Sequence, residues 1–169
     1  MYCKNPKVAR GGFTLIEAAV ATVIVGMGVT ALMTAVAAGS RANGAGRNLT
    51  QAVFLAQEIR EWTLRLPFSD PDPGDQGKPP GPDGTDPQVF VDDLDDLMNV
   101  SYCPPRDGQG QPLADMTGWT QRITLTWRDP TSLTTVVADG ASDFIHVQVD
   151  VLNGSRMVLS TGWLVARKE

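Results

Sequence analysis

From Ala18 to Ala38 the chain carries no charged side chain. About 20 such residues wound as a helix span a hydrocarbon layer of about 30 Å, and a helix closes its backbone hydrogen bonds internally, as lipid requires. The basic residues Lys4, Lys7 and Arg10 precede the run, which predicts that the N-terminal tail stays on the cytoplasmic side. Two readings share these features, a membrane anchor and a secretory signal peptide. Ala35-Val36-Ala37 has the small-residue form that an ordinary signal peptidase cuts, and cleavage after Ala37 would release a secreted binding domain. The run, however, exceeds the roughly 7–15 apolar residues usual in a signal peptide. It also opens with a carboxylate, Glu17. A charge placed deep in a membrane costs roughly 2.5–3.5 kcal/mol, so it usually has a partner or a task.

The segment Gly11-Gly12-Phe13-Thr14-Leu15-Ile16-Glu17, followed by the apolar run, resembles the class III signal of type IV prepilins and type II secretion pseudopilins. The resemblance implies a leader of residues 1–12, cut between Gly12 and Phe13 by a membrane prepilin peptidase that then N-methylates Phe13. It implies that Glu17 is the family's assembly glutamate, five residues into the mature chain. The partners implied are that peptidase, other pilin or pseudopilin subunits, an inner-membrane assembly platform and membrane lipid. The expected location is the bacterial inner membrane, single-pass, with the C-terminal part on the periplasmic or extracellular side and in a pilus or pseudopilus after assembly. Cleavage leaves a positive amine on Phe13. An opposite charge on a neighbouring subunit's Glu17 would offset the desolvation of that amine among apolar helices and set axial register.

Residues 13–39 are then a transmembrane and filament-core helix, and residues 40–67 an amphipathic one. Ala52, Leu55, Ala56, Ile59, Trp62 and Leu66 recur at helical spacing on one face, while Arg60, Glu61 and Arg65 fall elsewhere. Pro67 ends the pattern. Gly39, Gly44 and Gly46 lie at the junction and predict a bend or local unwinding there. Residues 68–88 are nearly all turn formers and predict a surface loop. Asp70, Asp72 and Asp75 in it supply oxygens of the kind calcium takes, but their spacing departs from an EF-hand loop and prolines intervene. The expectation is a solvated acidic loop with no bound metal.

Over residues 89–169 the period becomes two. Trp119, Gln121, Ile123, Leu125 and Trp127 alternate with polar residues, as do Ile145, Val147, Val149 and Val151. Leu133–Ala138 is a weaker strand pattern, and Asn153-Gly154 predicts a hairpin into a last strand, Arg156–Val165. The fold class expected is α+β: a long N-terminal helix, apolar then amphipathic, packed on a small antiparallel sheet, the pilin arrangement. The TWRD segment and NGSRMVLSTGWLVA are similar to the C-terminal sheet of PilV-type minor pilins and I-type minor pseudopilins.

The chain holds 14 basic and 19 acidic residues. Removing residues 1–12 takes away three basic residues and moves the net charge from −5 to −8. An acidic chain without a basic patch repels phosphate, so no nucleic-acid binding is expected. One histidine, His146, and one cysteine beyond the leader, Cys103, supply neither a zinc site nor a His-assisted nucleophile. His146 is expected on the polar side of its strand and Cys103 as a partly buried small hydrophobe. Asp92, Asp93, Asp95 and Asp96 read as a solvated acidic turn. No enzyme activity and no cofactor are expected.

Overall fold

The computed structural model describes residues 12–71, 78–82 and 90–168. One helix, α1 (Leu15–Arg65), opens the fold. Its backbone contacts divide the chain into two compact units, one ending at Ala45 and the other running from Gly46. In the first unit every described side chain is exposed. Helical hydrogen bonding runs through Gly39, Gly44 and Gly46 without the local unwinding their presence predicts. Each glycine weakens a helix by only about 1 kcal/mol relative to alanine. An interruption would leave several backbone groups unpaired.

In the second unit the predicted face of α1 is the buried one. Ala52, Leu55 and Ile59 are fully buried, with Ala56 and Trp62 close behind. They share one core with Ile123, Leu125 and Trp127 from β2 (Trp119–Asp129) and with Ile145, Val147, Val149 and Val151 from β4 (Phe144–Asn153). The sheet is antiparallel in the order β1-β2-β4-β5, where β1 is Ser101–Tyr102 and β5 is Arg156–Ala166; β3 (Ser132–Val136) pairs with the end of β2. The α+β arrangement expected from the sequence is therefore present. Its turn differs by one residue. Gly154 and Ser155 make the β4–β5 connection, with Gly154 at φ +58° and Asn153 paired to Arg156 inside the ladder. A glycine at the first central position suits a turn that needs positive φ there.

Gln121 follows the apolar alternation of β2 and is fully buried. Its amide donates to the carbonyls of Leu55 (2.9 Å) and Arg106 (3.0 Å), and its oxygen accepts from the Arg106 N–H (2.7 Å). One side chain thus joins helix, strand and the loop after β1. That loop also reaches α1 through Gly108, whose N–H donates to Glu58 Oε2 at 2.6 Å. At Gly110 (φ +76°), a Cβ would lie 2.7 Å from the Trp62 ring.

Candidate functional site

The candidate site of the N-terminal unit is built from its first turn. Gly12, Phe13 and Thr14 are non-helical, and α1 begins at Leu15. Thr14 caps it: its side-chain oxygen accepts the Glu17 N–H (3.3 Å), and its carbonyl accepts the Ala18 N–H (3.1 Å). Threonine three residues before glutamate is the sequence pattern of a capping box, so the same two residues that belong to the signal-like segment also start the helix. Glu17 therefore stands in the first turn, where the helix dipole favours a negative charge. With Thr14, Ile16, Val20 and Ile24 it borders a shallow apolar groove. Phe13 is 82% exposed.

The polar groups farther along this stretch are satisfied within the helix. Thr22 donates to the Ala18 carbonyl (2.8 Å), Thr30 to Met27 (2.9 Å) and Thr34 to Thr30 (2.8 Å). These hydroxyls ask nothing of an apolar medium. The Glu17 carboxylate is acceptor-only and has no partner among the described residues. Between Phe13 and Val36 the exposed side chains include Leu15, Ile16, Val20, Ile24, Leu32 and Met33. α1 is one helix long and apolar enough to cross a membrane.

The other residues singled out by sequence do not gather around this turn. Asp70 is half-buried and borders a polar cavity with Lys78, Asp95 and Arg167. Asp72 and Asp75 lie outside the described residues. Among the described residues no group of three His, Cys, Asp or Glu side chains is placed to hold a metal ion. Cys103 is exposed rather than partly buried; it sits where β1 gives way to the loop, and its thiol donates to the Thr117 carbonyl at 3.9 Å. His146 is half-buried on the sheet's polar side, packed over Gly162. Burial, helped by Arg128, lowers its pKa below the usual 6.5.

The acidic stretch is the largest departure from expectation. Asp93 and Asp96 are buried, and Leu94 between them and Leu97 just after them enter the core. The two carboxylates are held by backbone donors in a reciprocal pattern. Asp93 Oδ1 accepts from the N–H groups of Asp95 (3.0 Å) and Asp96 (3.2 Å), and Asp96 Oδ2 accepts from Asp92 (3.0 Å) and Asp93 (3.5 Å). They organise a short 3-10 helix, Asp95–Leu97. Burial, reinforced by the Asp95 carboxyl, pushes the Asp93 pKa up to about 8.

A pH dependence of stability follows. The unfolded chain releases the Asp93 proton near the ordinary 3.8, whereas the folded chain retains it until about 8. Folding therefore takes up a proton between these limits, and stability falls as pH rises through that window. His146 acts in the opposite sense, but only below its ordinary value of 6.5. Urea midpoints are expected to decline from pH 7 to pH 9 in the wild type. In Asp93→Asn, which keeps the accepting oxygen and removes the titration, the decline should be largely gone; an unchanged decline would refute the assignment.

Compared with protein-family models, with curated proteins and with solved structures, the chain finds no match.

Proposed function

We propose that this chain is a minor pilin or pseudopilin, a non-enzymatic structural subunit of a type IV pilus or type II secretion pseudopilus. Prepilin peptidase cuts it between Gly12 and Phe13 and N-methylates Phe13. The exposed apolar helix first anchors the subunit in the inner membrane and then packs with the helices of other subunits delivered by the assembly platform. Glu17 meets the positive terminus of a neighbour. The part of the chain from Gly46 on faces the periplasm or the exterior.

One observation carries the reading. A helix whose first half exposes its apolar side chains begins three residues after Gly12, and the threonine hydroxyls of that half are internally satisfied while the carboxylate of Glu17 has no partner among the described residues. Lipid or a bundle of like helices answers the first property, and a cation brought by a partner answers the second.

The N-terminal mass of protein extracted from membranes tests it. A chain starting at N-methylated Phe13 is expected, whereas a start at Ala38 would identify an ordinary signal peptide. Gly12→Val should leave the uncut precursor in the membrane, because a branched side chain at the cut site obstructs a cleft fitted to glycine. Normal maturation of that variant, read by gel shift, would overturn the assignment.

A further inference from the structure

The sheet has two edges of different character. On one, β1 and β3 cover the ends of β2, and the stretch between is partly closed by the Val100 carbonyl on the Ile123 N–H and by the Val137 N–H on the Trp127 carbonyl. On the other, β5 pairs only with β4 among the described residues and runs for 11 residues.

The direction of its free groups follows from the register. The Arg167 N–H donates to the Asp143 carbonyl at 2.9 Å, which continues the β4–β5 ladder by one step. Antiparallel pairs alternate between hydrogen-bonded and non-bonded. Val165, Trp163, Thr161 and Leu159, opposite Ile145, Val147, Val149 and Val151, therefore bond to β4. The backbone N–H and C=O groups of Ser160, Gly162, Leu164 and Ala166 point away from the sheet, and all four residues are exposed. The β2–β4 register agrees: the Gly154 N–H donates to the Gly118 carbonyl at 2.8 Å, which turns His146, Gln148 and Asp150 toward β2.

Beside this edge runs a groove of about 350 Å³ between α1 and β5, bordered by Val53, Gln57 and Arg60 on the helix and Leu159, Thr161 and Trp163 on the strand. Three basic side chains flank the edge, and among the described residues the one carboxylate beside its outward residues, Asp150, accepts the Ser160 hydroxyl at 2.6 Å. β5 carries Arg156 and no acidic residue, Arg60 stands in the groove and Lys168 follows the strand. Arg167 is already paired with Asp143 at 2.8 Å. An open row of alternating donors and acceptors is completed by another extended backbone. Its charge decides which one. A second β5 paired antiparallel about Gly162 would set Arg156 against Lys168, and one paired parallel and in register would set Arg156 against Arg156, so like charges oppose a second copy in either arrangement.

We propose that the β5 edge is a docking site for an extended, acidic-ended segment of a partner protein. The segment adds a sixth strand through the outward groups of Ser160, Gly162, Leu164 and Ala166. Its apolar alternate side chains enter the groove beside Val53 and Trp163, and its carboxylates meet Arg60, Arg156 and Lys168. This site is independent of how the N-terminus is processed.

The test uses the full chain in detergent micelles and a nine-residue peptide of alternating valine and threonine with glutamate at both ends. Residue-resolved amide exchange should show new protection at Ser160, Gly162, Leu164 and Ala166 when the peptide is added, with Leu159, Thr161, Trp163 and Val165 unchanged. The same peptide with lysine ends should bind at least about tenfold more weakly. Leu164→Pro and Ala166→Pro remove one outward N–H each, at positions where an edge strand tolerates proline, and should weaken binding at least about tenfold. Leu164→Ala, which keeps the N–H, should stay within about threefold. No binding of the glutamate peptide, equal binding of the lysine peptide, or protection falling elsewhere would overturn the proposal, as would proline variants that bind like wild type.

Discussion

Replacing Trp62 with alanine is expected to lower the stability of the fragment from Asn43 to the C-terminus by about 3–5 kcal/mol, the usual range for removing a buried tryptophan. Small domains have about 5–15 kcal/mol in total, so the loss is a large share of the whole. The site has little means of collapsing around the void. Trp62 is 7% exposed and its ring lies 5.7 Å from that of Tyr102. The Gly110 backbone lies so close to that ring that a Cβ there would reach within 2.7 Å of it. The loop carrying Gly110 is held separately by the 2.6 Å bond from Gly108 to Glu58 and by Gln121, so it cannot simply move inward. Urea denaturation of both fragments measures the difference. A midpoint equal to that of the wild type would mean that the amphipathic end of α1 does not dock on the sheet.

Glu17→Ala is expected to leave a subunit that is cut and membrane-resident yet enters filaments at least about tenfold less well. Under the proposed function, the substitution strands a neighbour's Phe13 ammonium among apolar helices. Breaking a buried ion pair from one side typically costs about 3–5 kcal/mol, and each 1.4 kcal/mol is about tenfold in an equilibrium. Immunoblotting of sheared filaments against the membrane fraction reads the ratio. Thr14→Val serves as the control, because Thr14 accepts the Glu17 N–H as a helix cap. Losing that cap costs about 1 kcal/mol without removing charge, so incorporation should fall far less. If the two variants fell equally, Glu17 would matter for helix initiation and not for pairing.

The residues that could be placed from sequence were those whose environment is set by near neighbours along the chain. The stripe Ala52, Leu55, Ala56, Ile59 and Trp62 is buried as its spacing required, and so is the alternation of β2 and β4. In each case one face must leave water, and a regular period tells which. The first turn of α1 was equally open to reading, since Thr14 and Glu17 stand three apart. Gln121 was placed on the inner face by the same period, although its polarity alone would have set it outside.

Asp93 and Asp96 show where that reasoning stops. Four carboxylates in five residues look like a solvated turn, because burying a charge is expensive unless donors are supplied. Here the donors are the segment's own backbone N–H groups. What draws the segment inward is the burial of Leu94 and Leu97, two apolar residues with no period to announce them. The loop after β1 is similar. Its Asp-Gly-Gln-Gly run marks a turn, but only the folded unit brings Gly108 to Glu58 and Gly110 to Trp62, about 50 residues earlier in the chain. Cys103 is exposed for the same kind of reason, since the end of a two-residue strand has no periodicity to orient it.

The sequence by itself determined the apolar helix, the helical stripe, the strand alternation and the Gly12-Phe13-Glu17 pattern, because each is a local regularity of hydrophobicity or charge. Only the tertiary structure decided which carboxylates lose their water, which glycines must remain bare against the Trp62 ring, and which edge of the sheet stays open. Those outcomes depend on contacts between residues far apart in sequence, whose energies no local pattern contains.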